Sequence, residues 1–147
     1  MSICYVNGSY EEKSSATISI QDRGFNFSDG VYEVMSFFGN QIINFDKHVK
    51  RLTKSLDGLR IKKPLTNYKS LELILKKLIK LNKLDKGFVY LQVTRGSSSR
   101  NHLFPKLSKP NIVIFTFTAK LDKKLILSGV KVRLTDDLRW KRCDIKS

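Results

Sequence analysis

Two consecutive helical stripes, with short runs of strand character on either side, constrain the fold of this chain more than any other feature. In the first stripe Val49, Leu52, Leu56 and Leu59 recur at spacings of 3, 4 and 3, which places them along one side of an α-helix. Asp46 stands where a carboxylate can cap the first free amides. Lys63-Pro64 closes the region, because proline disfavours helical backbone in the residue before it. The second stripe, Leu71, Ile74, Leu75, Leu78 and Ile79, predicts a helix over residues 68–82.

Ahead of the stripes, residues 3–6 and 9–11 flank Asn7-Gly8, a strong short-range hairpin signal. Residues 16–20 also have strand character. Residues 31–38 read as a strand that turns at Gly39-Asn40 and returns over residues 41–45. After the stripes, strands are predicted at residues 88–94, 112–118 and 130–134, with a polar loop containing four serines over residues 96–110. Strands and helices do not alternate one for one, so a doubly wound parallel sheet does not suit this order. The reading is α+β, with two helices packed on a largely antiparallel sheet.

The chain has 147 residues, enough for one core and the start of a second. Hydrophobic residues at 41% and charged residues at 28% suit a folded, soluble protein. No apolar run approaches the roughly 18 residues of a membrane span. The start, Met1-Ser2-Ile3-Cys4-Tyr5, lacks the basic and apolar regions of a secretory signal, so a cytoplasmic location is expected. Cys4 and Cys143 lie at opposite ends with no C-x-x-C pair, which reads as two reduced thiols and no metal site. The net charge of +15 suits nucleic-acid binding in principle. The lysines are dispersed, however. Lys76, Lys77, Lys80 and Lys83 fall between apolar residues, as on a solvated helix face, so no nucleic-acid partner is expected.

Four clusters carry candidate chemistry. Asp22-Arg23-Gly24-Phe25-Asn26-Phe27-Ser28-Asp29-Gly30-Val31-Tyr32-Glu33 sets two aspartates in turn signals before a strand. His48-Val49-Lys50-Arg51-Leu52 offers a guanidinium, whose paired donors match phosphate oxygens. Thr94-Arg95-Gly96 leads into Arg100-Asn101-His102. A loop arginine and histidine at that spacing, with a strand tyrosine hydroxyl, supply the donors an α-carboxylate needs. Arg139-Trp140-Lys141-Arg142-Cys143-Asp144-Ile145-Lys146-Ser147 ends the sequence. A lysine serves as a nucleophile only as the neutral amine, which burial or neighbouring positive charge favours. Taken singly, each cluster also fits a plain structural reading: turn glycines, a basic helix face, a basic loop and a solvated tail.

Taken together and in order, the four clusters resemble the signatures of fold-type IV pyridoxal-phosphate aminotransferases. The G-V-Y-E-V form at residues 30–34 and the R-x-H pair at Arg100 and His102 resemble the D-amino-acid branch. The resemblance implies pyridoxal 5'-phosphate as cofactor, Lys146 as Schiff-base lysine and proton shuttle, and Arg51 as ligand of the cofactor phosphate. It implies a trap for the substrate carboxylate made of Tyr32, Arg100 and His102, and a structural His48. The implied reaction moves the amino group of D-alanine to 2-oxoglutarate, giving pyruvate and D-glutamate, and the implied partners are small amino and keto acids and a second copy in a homodimer. The implied layout is an N-terminal α+β domain over residues 1–120. An interdomain segment and the beginning of a C-terminal cofactor domain would occupy residues 121–147. Family members continue past the lysine into a domain that supplies the acidic partner of the pyridine nitrogen. A truncated product, inactive alone, is therefore expected. Other readings stay open: a non-catalytic remnant, a subunit that pairs with a separate C-terminal fragment, or a relative of branched-chain aminotransferases or aminodeoxychorismate lyases.

Overall fold

A computed structural model of the chain describes residues 2–118 and 123–137. The hairpin at the start forms as expected. Strands β1 (Ile3–Val6) and β2 (Ser9–Glu12) pair antiparallel around Asn7 (φ 50°) and Gly8 (φ 110°), a turn with two positive φ values. A short helix, α1 (Arg23–Phe27), precedes the long strand β3 (Gly30–Phe38). The return strand β4 covers only Gln41–Ile42. Helices α2 (Phe45–Gly58) and α3 (Tyr68–Leu81) follow, then strands β5 (Lys86–Thr94) and β6 (Asn111–Phe117), then a short helix α4 (Lys123–Ser128).

The six strands form one antiparallel sheet in the order β2-β1-β6-β5-β3-β4. Strand alternation divides the sheet into two faces. Glu33, Met35 and Phe37 of β3, Val89, Leu91 and Val93 of β5, and Ile112 and Ile114 of β6 are buried. The apolar ones meet Leu52 and Leu56 of α2 and Leu71, Leu75, Leu78 and Ile79 of α3 in a single core. Helix α2 packs against β3, and α3 against β1 and β6. The other face carries aromatic side chains in a row. Tyr32 stacks on Tyr90 at 5.8 Å between ring centroids, and Tyr90 on Phe115 at 4.9 Å.

The α+β reading thus holds, with both helical stripes forming helices and the antiparallel sheet in place. Several local expectations differ from the structure. Residues 16–20 and 130–134 have strand composition but pair with no strand among the described residues. The return after Gly39 stops at Ile42, because Asn44 turns left-handed (φ 53°) and starts α2 at Phe45. Asp46 therefore lies in the first turn of α2 rather than at its cap, where its charge still suits the helix dipole. Helix α2 ends at Gly58, well before Pro64. No helix of the described residues is long and apolar enough to cross a membrane.

Leu75 is fully buried between α3 and the sheet. Leu75→Ala is expected to cost about 2–5 kcal/mol. Urea denaturation should show a lower midpoint with the same slope, whereas an unchanged midpoint would place Leu75 outside the core.

Candidate active site

The Asp-Arg-Gly-Phe segment folds as α1 because Asp22 caps it. Its Oδ1 accepts from the Gly24 amide at 2.7 Å, and Ser28 closes the helix in a left-handed conformation. The Asp22 carboxylate is buried and also reaches across to β5 and β6. Its Oδ2 accepts from Thr94 Oγ1 and from Asn111 Nδ2, both at 2.6 Å. The Arg23 amide donates to Gly96 O at 2.9 Å, and Asp22 bridges Ser97. The first sequence cluster is thus a clasp on the end of the sheet where the 96–110 loop begins. Gly96 (φ 102°) closes that loop at its base, where a Cβ would sit on the Lys109 carbonyl oxygen.

Beneath the clasp, Asp29 is shared by two arginines. The register pairs Gly30 with Thr94, so Asp29 lies opposite Arg95 one step further along. Arg95 Nε and Nη2 reach Asp29 at 2.7 and 2.9 Å, and Arg23 Nε reaches it at 2.8 Å. All three side chains are at least nine-tenths buried. Further donors find backbone. Arg95 bonds Leu59 O and Arg60 O beyond α2, and Arg23 bonds Asn101 O at 2.8 Å. Burial pushes the Asp29 carboxyl up, but hydrogen bonds from Arg95 and Arg23, and then their charges, outweigh it and leave its pKa below the ordinary value.

This network places the loop residues. Phe27 of α1 sits under both: the Arg100 guanidinium carbon is 5.1 Å from its ring centroid, and the His102 ring centroid is 5.3 Å away. Arg23 lies 4.6 Å from the same ring. Arg100 and His102 are themselves exposed.

The second group of candidates lies along β3. Tyr32 points to the open face and is 65% exposed, while its neighbour Glu33 points to the helix face and is 2% exposed. Glu33 takes Arg51 of α2 side-on, with Nε to Oε1 at 2.7 Å and Nη2 to Oε2 at 2.6 Å. His48, one turn earlier on α2, adds Nδ1 to Oε2 at 2.7 Å. Burial raises the Glu33 carboxyl, but the Arg51 and His48 hydrogen bonds and charges overcome it, so the group lies below its usual range. The Arg51 pKa is raised by its hydrogen bond to Glu33, then by the Glu33 charge, with a smaller contribution from Tyr32. Its side chain nonetheless stays 66% exposed.

The structure therefore gathers Tyr32, Glu33, His48 and Arg51 at one sheet edge, and Phe27, Arg100 and His102 at the α1 end. Among the described residues no hydrogen bond or ring contact joins the two groups. Lys146 lies outside the described residues. An open cleft of 460 Å³ lined by Asn7, Lys62, Lys63 and Lys109 has none of these candidates in its wall. Glu33, Asp29, Arg95 and Phe27 lie inside the sequence clusters without a site role of their own there. One signal pointed to Glu33: a charged residue in the same alternation as the apolar Met35 and Phe37.

A sheet with helices on one face, bearing these clusters in this order, matches known proteins. A model of the amino-transferase class IV family matches residues 30–147, and the chain belongs to that family. It is 38% identical over 141 residues to a D-alanine aminotransferase of Bacillus licheniformis, covering 96% of this chain and 50% of the relative. It is 34% identical over 148 residues to one of Staphylococcus epidermidis, covering 100% of this chain and 52% of that protein. The chain thus spans about half the length of these relatives. Among solved structures, a branched-chain amino acid aminotransferase of Escherichia coli aligns with a TM-score of 0.73 at 15% identity, over 80% of this chain and 41% of that one. A 4-amino-4-deoxychorismate lyase of Pseudomonas aeruginosa aligns with a TM-score of 0.63 at 23% identity, over 83% and 42%. At those identities the two structures share the fold.

Asp29→Asn should leave two buried guanidinium groups without a counter-charge, at a cost of roughly 3–5 kcal/mol. The pH dependence has a definite sign. Because the folded-state pKa of Asp29 is depressed, its contribution is present above the unfolded value near ~3.9 and is lost as pH falls through the folded value. Denaturant titrations from neutral to acid pH should show this loss in the native chain and a flatter profile in Asp29→Asn.

Proposed function

We propose that this chain carries the substrate- and phosphate-binding half of a D-amino-acid aminotransferase site, acting on D-alanine and 2-oxoglutarate. The observation that carries the reading is the outward guanidinium of Arg51, held by a buried carboxylate at the sheet edge that also bears Tyr32. The 38% identity to a D-alanine aminotransferase supports the choice of branch.

The described residues fit pyridoxal phosphate in chemistry. Arg51 keeps an exposed guanidinium edge for a phosphate, beside a stacked Tyr32–Tyr90 pair. Pyridoxal phosphate, when bound, supplies the carbonyl that takes up the amino group and a ring that withdraws electrons from the substrate α-carbon. In this reading Arg51 grips the phosphate, and the Lys146 amine takes the proton from the α-carbon of D-alanine and returns one to the amino-group acceptor. The Tyr32 hydroxyl, Arg100 and His102 hold the substrate carboxylate by charge-assisted hydrogen bonds. No hydrogen bond or ring contact among the described residues joins Tyr32 to Arg100 or His102, and the homodimer implied by the resemblance is part of the proposal. So is a domain boundary near residue 120.

The test is pyruvate formation from D-alanine and 2-oxoglutarate with pyridoxal phosphate. The chain would be assayed alone and mixed with the second half of the Bacillus licheniformis relative. D-alanine-dependent pyruvate in either preparation, lost in Lys146→Ala, is expected. Borohydride reduction followed by mass spectrometry should place the cofactor on Lys146. Absence of pyruvate in both, or a preference for L-leucine, would remove the assignment.

A further inference from the structure

We propose that Glu33 is a positioning residue for phosphate binding: its carboxylate locks Arg51 side-on, so that the opposite edge of the guanidinium faces solvent as a preset fork for a phosphate monoester. This deepens the reading of Arg51 above and rests on it.

The geometry behind it is specific. A guanidinium has five N–H donors in one plane. Glu33 consumes two along one side, from Nε and from Nη2. What remains is the end-on edge, where one N–H of Nη1 and one of Nη2 lie parallel. That edge matches two phosphate oxygens. No described acceptor takes Nη1; His48 Nδ1 lies 3.4 Å from Nη2 but is engaged with Glu33 Oε2 at 2.7 Å, and the side chain is two-thirds exposed, so the end-on edge is left facing solvent.

Burial makes Glu33 suited to the task. It sits on the apolar alternation of β3 beside Met35, where only paired charge is tolerated. His48 Nδ1 takes a second contact on Oε2, which stops the carboxylate from rotating away. An arginine held in this way loses little further freedom on meeting an anion.

The probe is pyridoxine 5'-phosphate, which carries ring and phosphate but no aldehyde, so binding does not depend on Lys146. Pyridoxine is the control, and the full chain is used. The native protein should prefer the phosphorylated compound, and Arg51→Gln should abolish that preference. Glu33→Gln, which keeps shape and removes charge, should reduce it roughly tenfold. In proton–nitrogen NMR the Arg51 Nε–H signal, protected from solvent exchange in the native chain, should broaden or vanish in Glu33→Gln.

If Arg51→Gln loses the preference while Glu33→Gln keeps it, the positioning role is overturned and the Arg51 reading survives. If the native chain shows no preference, or Arg51→Gln keeps it, both fall. Should Glu33→Gln fail to fold, Arg51→Lys decides. An ammonium cannot span carboxylate and phosphate as two edges of one plane, so a native-like preference in that variant would overturn the proposal.

Discussion

One carboxylate shared by two buried arginines holds this structure together where the sheet ends. Asp29 bears a single negative charge against Arg23 and Arg95, leaving an excess positive charge away from water. Such an excess is tolerated where further N–H groups find acceptors. The acceptors are the carbonyls of Leu59, Arg60 and Asn101, which belong to segments far apart in sequence. Satisfying the two guanidiniums therefore draws together α1, the start of β3, the chain after α2 and the loop after β5. No buried side-chain polar atom of the described residues is left without a partner.

Glu33 solves a related problem with the opposite outcome. Asp29 stands just before β3 and Glu33 within it, four residues apart. At Asp29 the cations are buried with it, and the network turns inward. At Glu33 the strand is near the sheet edge, since β4 pairs only with Phe37 and Phe38. A long side chain from α2 can reach around that edge, so the Arg51 cation stays in solvent while its carboxylate does not. Tyr32, on the opposite alternation, then shares the edge with Arg51 without touching the core.

Much of the fold was legible because its signals were long. The stripes of α2 and α3 repeat over several turns, and the Asn7-Gly8 hairpin has its own turn chemistry. Short or context-dependent elements were not. Helix α1 has five residues, too few for periodicity, and exists because Asp22 caps it and ties it to Thr94 and Asn111. Residues 16–20 have strand composition, but no strand among the described residues pairs with them. The Asn44 turn likewise outweighed the apolar run that suggested a longer return strand. Among the site residues, Tyr32, Arg51, Arg100 and His102 stood out through the resemblance, whereas Glu33, Asp29, Arg95 and Phe27 gained meaning from their contacts.

By itself the sequence determined the element order, the faces of the two long helices and the family signatures, because those are properties of neighbouring residues along one chain. Which charges meet was decided only by tertiary structure. The β3–β5 register sets Asp29 against Arg95, and the packing of α2 on β3 sets Arg51 against Glu33. Pairing at that distance depends on strand register and helix docking. Both follow from burying the whole apolar surface at once rather than from any local pattern.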